Sequence, residues 1–327
     1  MTLEVLAVIC GFVILVWSAE RFITGSAATA GHFGMSPLLI GTLIVGFGTS
    51  FPEMLVSVQA AVDGKPDLAI GNALGSNIIN TALVLGLTAL ISPILVHSNI
   101  VRKEIPMLIA IGGLFGLFVW DGQLTRLEAG FLLLGFFCLI GWAVYTAKLE
   151  RKDTLGKHDN LGAEVEQELA ATELPLKQAF FWLFAGLTLM VISSKILVWG
   201  AVGIAELLGV SNLIIGLTII ALGTSLPELA ASIVAARKGQ HDIAIGNVIG
   251  SNMFNLLAVA GIAGFISPMS HVNPDVLARD WPMVMVLTIG LLLMAFGYGR
   301  QGQISRRNGV ILLVSFVAYN GYLLSTI

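Results

Sequence analysis

Residues 41–53 read GTLIVGFGTSFPE and residues 216–228 read GLTIIALGTSLPE, an offset of 175 positions. At the same offset, residues 67–80 (DLAIGNALGSNIIN) return as residues 242–255 (DIAIGNVIGSNMFN), and Ile91-Ser92-Pro93 returns as Ile266-Ser267-Pro268. Matches of this length in one register make the chain a duplication of one unit, which constrains its fold more than any local propensity does.

The duplicated unit belongs in a bilayer. Of 327 residues, 56% are hydrophobic and 11% charged, where a soluble domain carries about a quarter charged residues. A helix crosses the hydrocarbon layer in about 20 mostly apolar residues, and ten such spans are read: 3–30, 36–62, 67–91, 104–120, 127–147, 175–208, 211–237, 242–266, 280–299 and 306–325. The apolar runs exceed a barrel strand and lack its alternation, so the expected class is all-α.

Five spans separate each residue from its copy, and an odd number of crossings inverts the second copy. The expected organisation is two inverted five-helix repeats, 1–147 and 175–327, joined by a hydrophilic linker at 148–174. Inverted repeats with interrupted helices are a construction of secondary transporters, with substrate near the midplane.

Charge orients the spans. With the N-terminus outside, thirteen of the 17 Lys and Arg residues fall in cytoplasmic loops, leaving Lys65, Arg126, Arg279 and the mid-span Lys195 elsewhere. The positive-inside rule then puts both termini outside an inner or plasma membrane and the linker in the cytoplasm. The linker's acids, Asp153, Asp159, Glu164, Glu166, Glu168 and Glu173, lack the spacing and glycine of a calcium loop. The first span carries Glu4 where a signal peptide would be basic and runs on to Ala30, so a retained helix is expected. A net charge of −3 without a Lys/Arg block argues against a nucleic-acid partner. Cys10 and Cys138 sit singly in apolar spans, and the five histidines lie near span ends or in loops without metal or triad spacing.

Glu53 and Glu228 stand inside apolar spans, where an ionisable group costs a few kcal/mol and marks function. No basic residue lies near either in its motif, so the compensating partner is a cation, a proton, or both in alternation. Thr49 and Ser50 precede Glu53 by four and three residues, on one helical face, and Thr224 and Ser225 repeat this before Glu228. Pro52 and Pro227 remove backbone donors, with Gly46, Gly48 and Gly223 nearby to loosen the turn. Asn72, Ser76 and Asn80 form a stripe at intervals of four, as do Asn247, Ser251 and Asn255. Carboxylates, amides, hydroxyls and carbonyls without thiolate or imidazole suit a hard cation such as calcium, with sodium as a second occupant. Intramembrane Asn and Ser also serve simply to join helices, which is the competing reading for Asn72, Asn77, Asn247 and Asn252. Gly-Thr-Ser is no nucleophile elbow, because Phe51-Pro52 and Leu226-Pro227 follow it. Neither an enzyme nor a bound cofactor is expected.

The paired Gly-Thr-Ser-x-Pro-Glu and Gly-Ser-Asn-x-x-Asn motifs resemble the alpha repeats of the calcium/cation antiporter superfamily, in particular its prokaryotic sodium/calcium exchanger branch. The resemblance implies that Glu53 and Glu228 hold calcium centrally, that Asn80 and Asn255 complete the ring, and that Thr49, Ser50, Ser76, Thr224, Ser225 and Ser251 help form sodium sites. Carbonyls of Gly46 and Ala221 would add to these. Some relatives carry aspartate at the position of Asn255, a departure that argues against potassium co-transport. The long first and sixth spans resemble the family's sliding gate helices. Alongside sodium-coupled exchange stand calcium/proton exchange, since desolvated carboxylates also take up protons, and a passive channel lined by the polar stripes.

Overall fold

The computed structural model describes residues 1–33, 35–97, 100–154, 174–209, 221–296 and 302–325, which are helical apart from short connections. Most of the linker and the first part of the second Gly-Thr-Ser motif, Gly216–Ile220, lie outside the described residues. Among the described residues, six helices are long and apolar enough to cross a membrane, and a bent pair makes a seventh. The spans expected at 104–120 and 306–325 are present as helices Ile105–Phe118 and Arg306–Ser325, and the one at 211–237 is described from Ala221 onward.

Two helices of 32 residues, α1 (Thr2–Phe33) and α7 (Leu176–Leu207), pair along their length. Each is about 48 Å long at 1.5 Å per residue. Glycine permits the approach: a Cβ on Gly25 would stand 2.5 Å from the Leu183 nitrogen, and one on Gly186 would stand 2.6 Å from that of Phe22. Gly11 meets Leu197 and Gly200 meets Glu4, so the partners descend on one helix as they rise on the other and the pair is antiparallel. Small residues of this kind let backbones pack without a hydrophobic driving force.

The interior is built from α2 (Pro37–Thr49), α3 (Phe51–Val62) and α4 (Pro66–Ile91), with their copies α8 (Ala221–Thr224), α9 (Leu226–Arg237) and α10 (His241–Ile266). Boundaries repeat at the sequence offset: Phe51–Val62 against Leu226–Arg237, and Pro66–Ile91 against His241–Ile266. The outer helices are α5 (Ile105–Phe118), α6 (Arg126–Thr154), α11 (Val276–Ala295) and α12 (Arg306–Ser325). The end of α4 packs on α12 through Gly86 and Gly309, and the end of α10 packs on α6 through Gly261 and Leu133. Each half's third helix is thus covered by the other half's last helix, which interlocks the halves. Cys10 and Cys138 are exposed on the outside of the bundle.

One element was not anticipated. Strands β1 (Ile94–Val96) and β2 (Gly302–Ile304) pair antiparallel, with Leu95 opposite Gln303. His97 Nδ1 and Asp242 Oδ1, 2.7 Å apart, pin this ribbon to the first turn of α10. A six-residue ribbon leaves the protein mostly helical.

The α11–α12 contact carries a polar anchor. Asp280 accepts from Arg279 Nε at 2.6 Å and from the Tyr319 hydroxyl at 2.7 Å. Hydrogen bonds to a charged group contribute about 1.5–3 kcal/mol, so Asp280→Ala is expected to destabilise the protein by that order, read as a lower unfolding midpoint in detergent.

Candidate cation site

The Gly-Thr-Ser-x-Pro-Glu sequence breaks its helix where the chemistry needs it. The helix α2 ends at Thr49, the axis turns by 42°, and α3 starts at Phe51. Ser50 at the break has φ −83° and ψ 0°, and Ser225 in the copy has φ −91° and ψ 6°, the bridge region that many active-site residues occupy. Pro52 and Pro227 each take one of the first two positions of the new helix, where a missing N–H is harmless. Glu53 and Glu228 then fall in the first turns of α3 and α9, at the electropositive ends of those helices.

The Gly-Ser-Asn-x-x-Asn helices carry wide turns at matching places. A π-helical segment spans Ile79–Val84 in α4 and Asn255–Val259 in α10, so Asn80 and Asn255 both sit on a widened turn of a type frequent at functional sites. Another, Ile40–Val45, lies within α2 and packs on α10. None of these widened turns was legible as such in the sequence.

The two carboxylates are buried, Glu53 at 1% and Glu228 at 0% exposure. Ser50 Oγ donates to Glu228 Oε1 at 3.3 Å, so the first motif supplies a ligand to the second motif's acid. Thr49 Oγ1 donates to Asn247 Oδ1 at 3.1 Å and lies 3.5 Å from Ser251 Oγ, which itself donates to the Gly46 carbonyl at 3.3 Å. The Gly46 carbonyl also keeps its helical bond from the Ser50 N–H at 3.1 Å. Ser76, Asn80, Ser225 and Asn255 are buried. Thr224 is half-buried at the end of α8, and Ala221 opens that helix.

Several buried oxygens lack any partner: both of Glu53, Oε2 of Glu228, Oγ of Ser225, and Oδ1 of Asn80, Asn252 and Asn255. Buried polar atoms are nearly always hydrogen-bonded, and leaving a carboxylate unpaired in a dry interior is costly. No group of three or more His, Cys, Asp and Glu side chains gathers among the described residues. The available donor set is two carboxylates with neutral oxygens, which is the chemistry of hard cations.

The structure also assigns residues that the sequence left undecided or missed. Asn247 Nδ2 donates to the Glu228 carbonyl at 3.1 Å and to Ser232 Oγ at 2.9 Å, tying Thr49 of one half to Glu228 of the other. Ser57 Oγ donates to the Val259 carbonyl at 2.7 Å. Ser57 and Ser232 are copies of each other four residues beyond the glutamates, a signal present in the sequence. Asn77 Nδ2 donates to the carbonyl of its own copy, Asn252, at 3.2 Å, while Asn252 Nδ2 donates to Thr81 at 2.8 Å and Asn255 Nδ2 to Asn77 Oδ1 at 3.1 Å. Asn72 is half-buried and its Nδ2 has no partner.

The family model described as sodium/calcium exchanger protein matches residues 3–145 and 178–325, nearly the whole chain. The chain belongs to the sodium/calcium exchanger family. It is 45% identical over 326 residues to CaxA of Alkalimonas amylolytica, covering 100% of both chains, and 38% identical over 319 residues to the inner membrane protein YrbG of Escherichia coli K12, covering 98% of this chain and 96% of that one. Among solved structures, the sodium-calcium exchanger NCX_Mj soaked with 2.5 mM Na+ and 0.1 mM Ca2+ matches at a TM-score of 0.80 and 29% identity, over 98% of each chain. The exchanger is therefore a polytopic membrane protein of the prokaryotic branch of the calcium/cation antiporters, and its class is transport rather than enzymatic catalysis. The resemblance drawn from the two motifs holds across the whole chain.

Proposed function

We propose that this exchanger carries calcium against sodium by alternating access at the Glu53–Glu228 centre. The observation that carries this reading is a pair of buried carboxylates from opposite halves, with three of their four oxygens unpartnered. One calcium ion neutralises both charges, while sodium ions at the surrounding Thr, Ser and Asn oxygens replace it piecewise. An empty site with two negative charges is held from crossing by the cost of bare charge in hydrocarbon, and that couples the two fluxes. In this reading Glu53, Glu228, Asn80 and Asn255 form the central ring. Thr49, Ser50, Ser76, Thr224, Ser225, Ser251 and the carbonyls of Gly46 and Ala221 serve sodium. Ten spans in two inverted halves, 1–147 and 175–327, place both termini outside, with the 148–174 linker in the cytoplasm.

The deciding experiment is calcium uptake into proteoliposomes loaded with sodium, compared with potassium loading and with an imposed pH gradient. Uptake driven by the outward sodium gradient is expected. Uptake driven only by the pH gradient transfers the assignment to proton exchange, and uptake without any opposing gradient transfers it to a channel.

Asn247→Ala tests the support of the site. It frees Thr49 and leaves the Glu228 carbonyl and Ser232 without their donor. Partners that orient metal ligands are worth about 10–100-fold in affinity or activity, so the half-saturating calcium concentration is expected to rise by that order, with the protein still folded.

A further inference from the structure

The duplication carries two charges whose signs are exchanged between copies. At the offset of 175 positions, Glu20 on α1 corresponds to Lys195 on α7, and Asp63 at the end of α3 corresponds to Lys238 at the end of α9. The two turns are otherwise alike: Asp63 and Lys238 cap their helices, and Gly64 and Gly239 follow with φ of +70° and +78°.

Only one of the two cross-pairs is made. Lys238 Nζ lies 3.6 Å from Glu20 Oε1 and donates to Thr24 Oγ1 at 2.8 Å, while Thr24 in turn donates to the Glu20 carbonyl at 2.7 Å. On the mirror side, Lys195 and Asp63 are both exposed, no ion pair joins them, and Asp63 accepts from Gln59 Nε2 at 2.9 Å instead. The helices follow the charges: α1 packs against α9 far more extensively than α7 packs against α3.

We propose that Glu20–Lys238 and Asp63–Lys195 are reciprocal ionic latches, one closed in each end state of the transport cycle. The proposal rests on the alternating-access reading above. A long helix that rests on the opposite half's core at one face, while its copy is withdrawn at the other, must exchange these contacts if the two halves exchange conformations. The sign inversion makes the exchange selective. Glu20 and Asp63 repel if brought together, as do Lys195 and Lys238, so each long helix finds a cation or an anion only at its own latch. The closed pair is part-exposed, which limits each latch to a bias on the equilibrium between states.

The test uses the intact exchanger in proteoliposomes and a zero-length carbodiimide, which joins a carboxylate to an amine only in direct contact, with mass spectrometry of the linked peptides. Both the 20–238 and the 63–195 links are expected. Reversing the sodium gradient is expected to move their yields in opposite directions, by about two- to fivefold for pairs of this exposure. Absence of the 63–195 link under both gradients, or yields that move together, overturns the proposal. Sodium-driven calcium uptake measured in the same vesicles separates the two failures: uptake with no 63–195 link removes the latch alone, and absence of uptake removes the transport reading beneath it.

Discussion

Glu53→Gln and Glu228→Gln will each abolish sodium-driven calcium uptake. Groups that merely orient metal ligands are worth about 10–100-fold, and a direct carboxylate ligand is worth no less, so the initial rate is expected to fall by about a hundredfold or more. Glutamine preserves shape, and neither carboxylate is tied to a protein cation, so folding survives. A second readout separates binding from translocation. A ligand at 100 times its dissociation constant stabilises the folded state by about 2.7 kcal/mol, so calcium should raise the unfolding midpoint of the wild type and leave both variants unmoved. The acids are not equivalent in the state described: Ser50 donates to Glu228, whereas both Glu53 oxygens are unpartnered. Retained uptake in either variant would place the ion elsewhere.

Gly250→Ala should be nearly as damaging without touching an ion ligand. A Cβ there would stand 2.5 Å from the Thr42 carbonyl oxygen and 2.7 Å from its Cα, both backbone atoms that cannot rotate aside. The helix α10 must move off the widened turn of α2, and the Gly46–Ser251 and Thr49–Asn247 contacts open with it. Overpacking of this kind costs about 1–3 kcal/mol, and when it displaces facing ligands the loss of uptake should be tenfold or more. Gly290→Ala on α11, where nothing lies within 4 Å, is the matched control and should transport normally.

What could be read from the sequence follows a physical division. The spans, the helix breaks and the two buried acids are announced by hydropathy, by Pro52 and Pro227, and by charges placed where hydrocarbon forbids them. Properties of one face of one helix were also legible: the Asn72–Ser76–Asn80 stripe follows from spacing alone. What could not be read depends on which copy reaches across. That Asn247 turns back to the Glu228 main chain, while its counterpart Asn72 leaves its amide unpartnered, reflects a conformational asymmetry that two nearly identical motifs cannot express. The ribbon joins residues 94–96 to 302–304, and three-residue strands carry no period to detect. Glu20 and Lys195 are equivalent positions at the offset of 175, but the partner of Glu20 is set by the crossing of α1 over α9, which only the fold supplies.

The contact between Asn77 and Asn252 bears on the history of the chain. A residue that meets its own copy is, in an assembly of two identical halves, a single codon read twice. No substitution there could have been tried on one side while the other was kept. Joining the halves into one polypeptide removed that restriction, and the surroundings show it: Thr81 accepts the amide of Asn252, while the copy of Thr81 is Leu256, and Asn77 turns instead to a backbone carbonyl. A single polypeptide thus allows a point where a residue meets its own copy to be asymmetric.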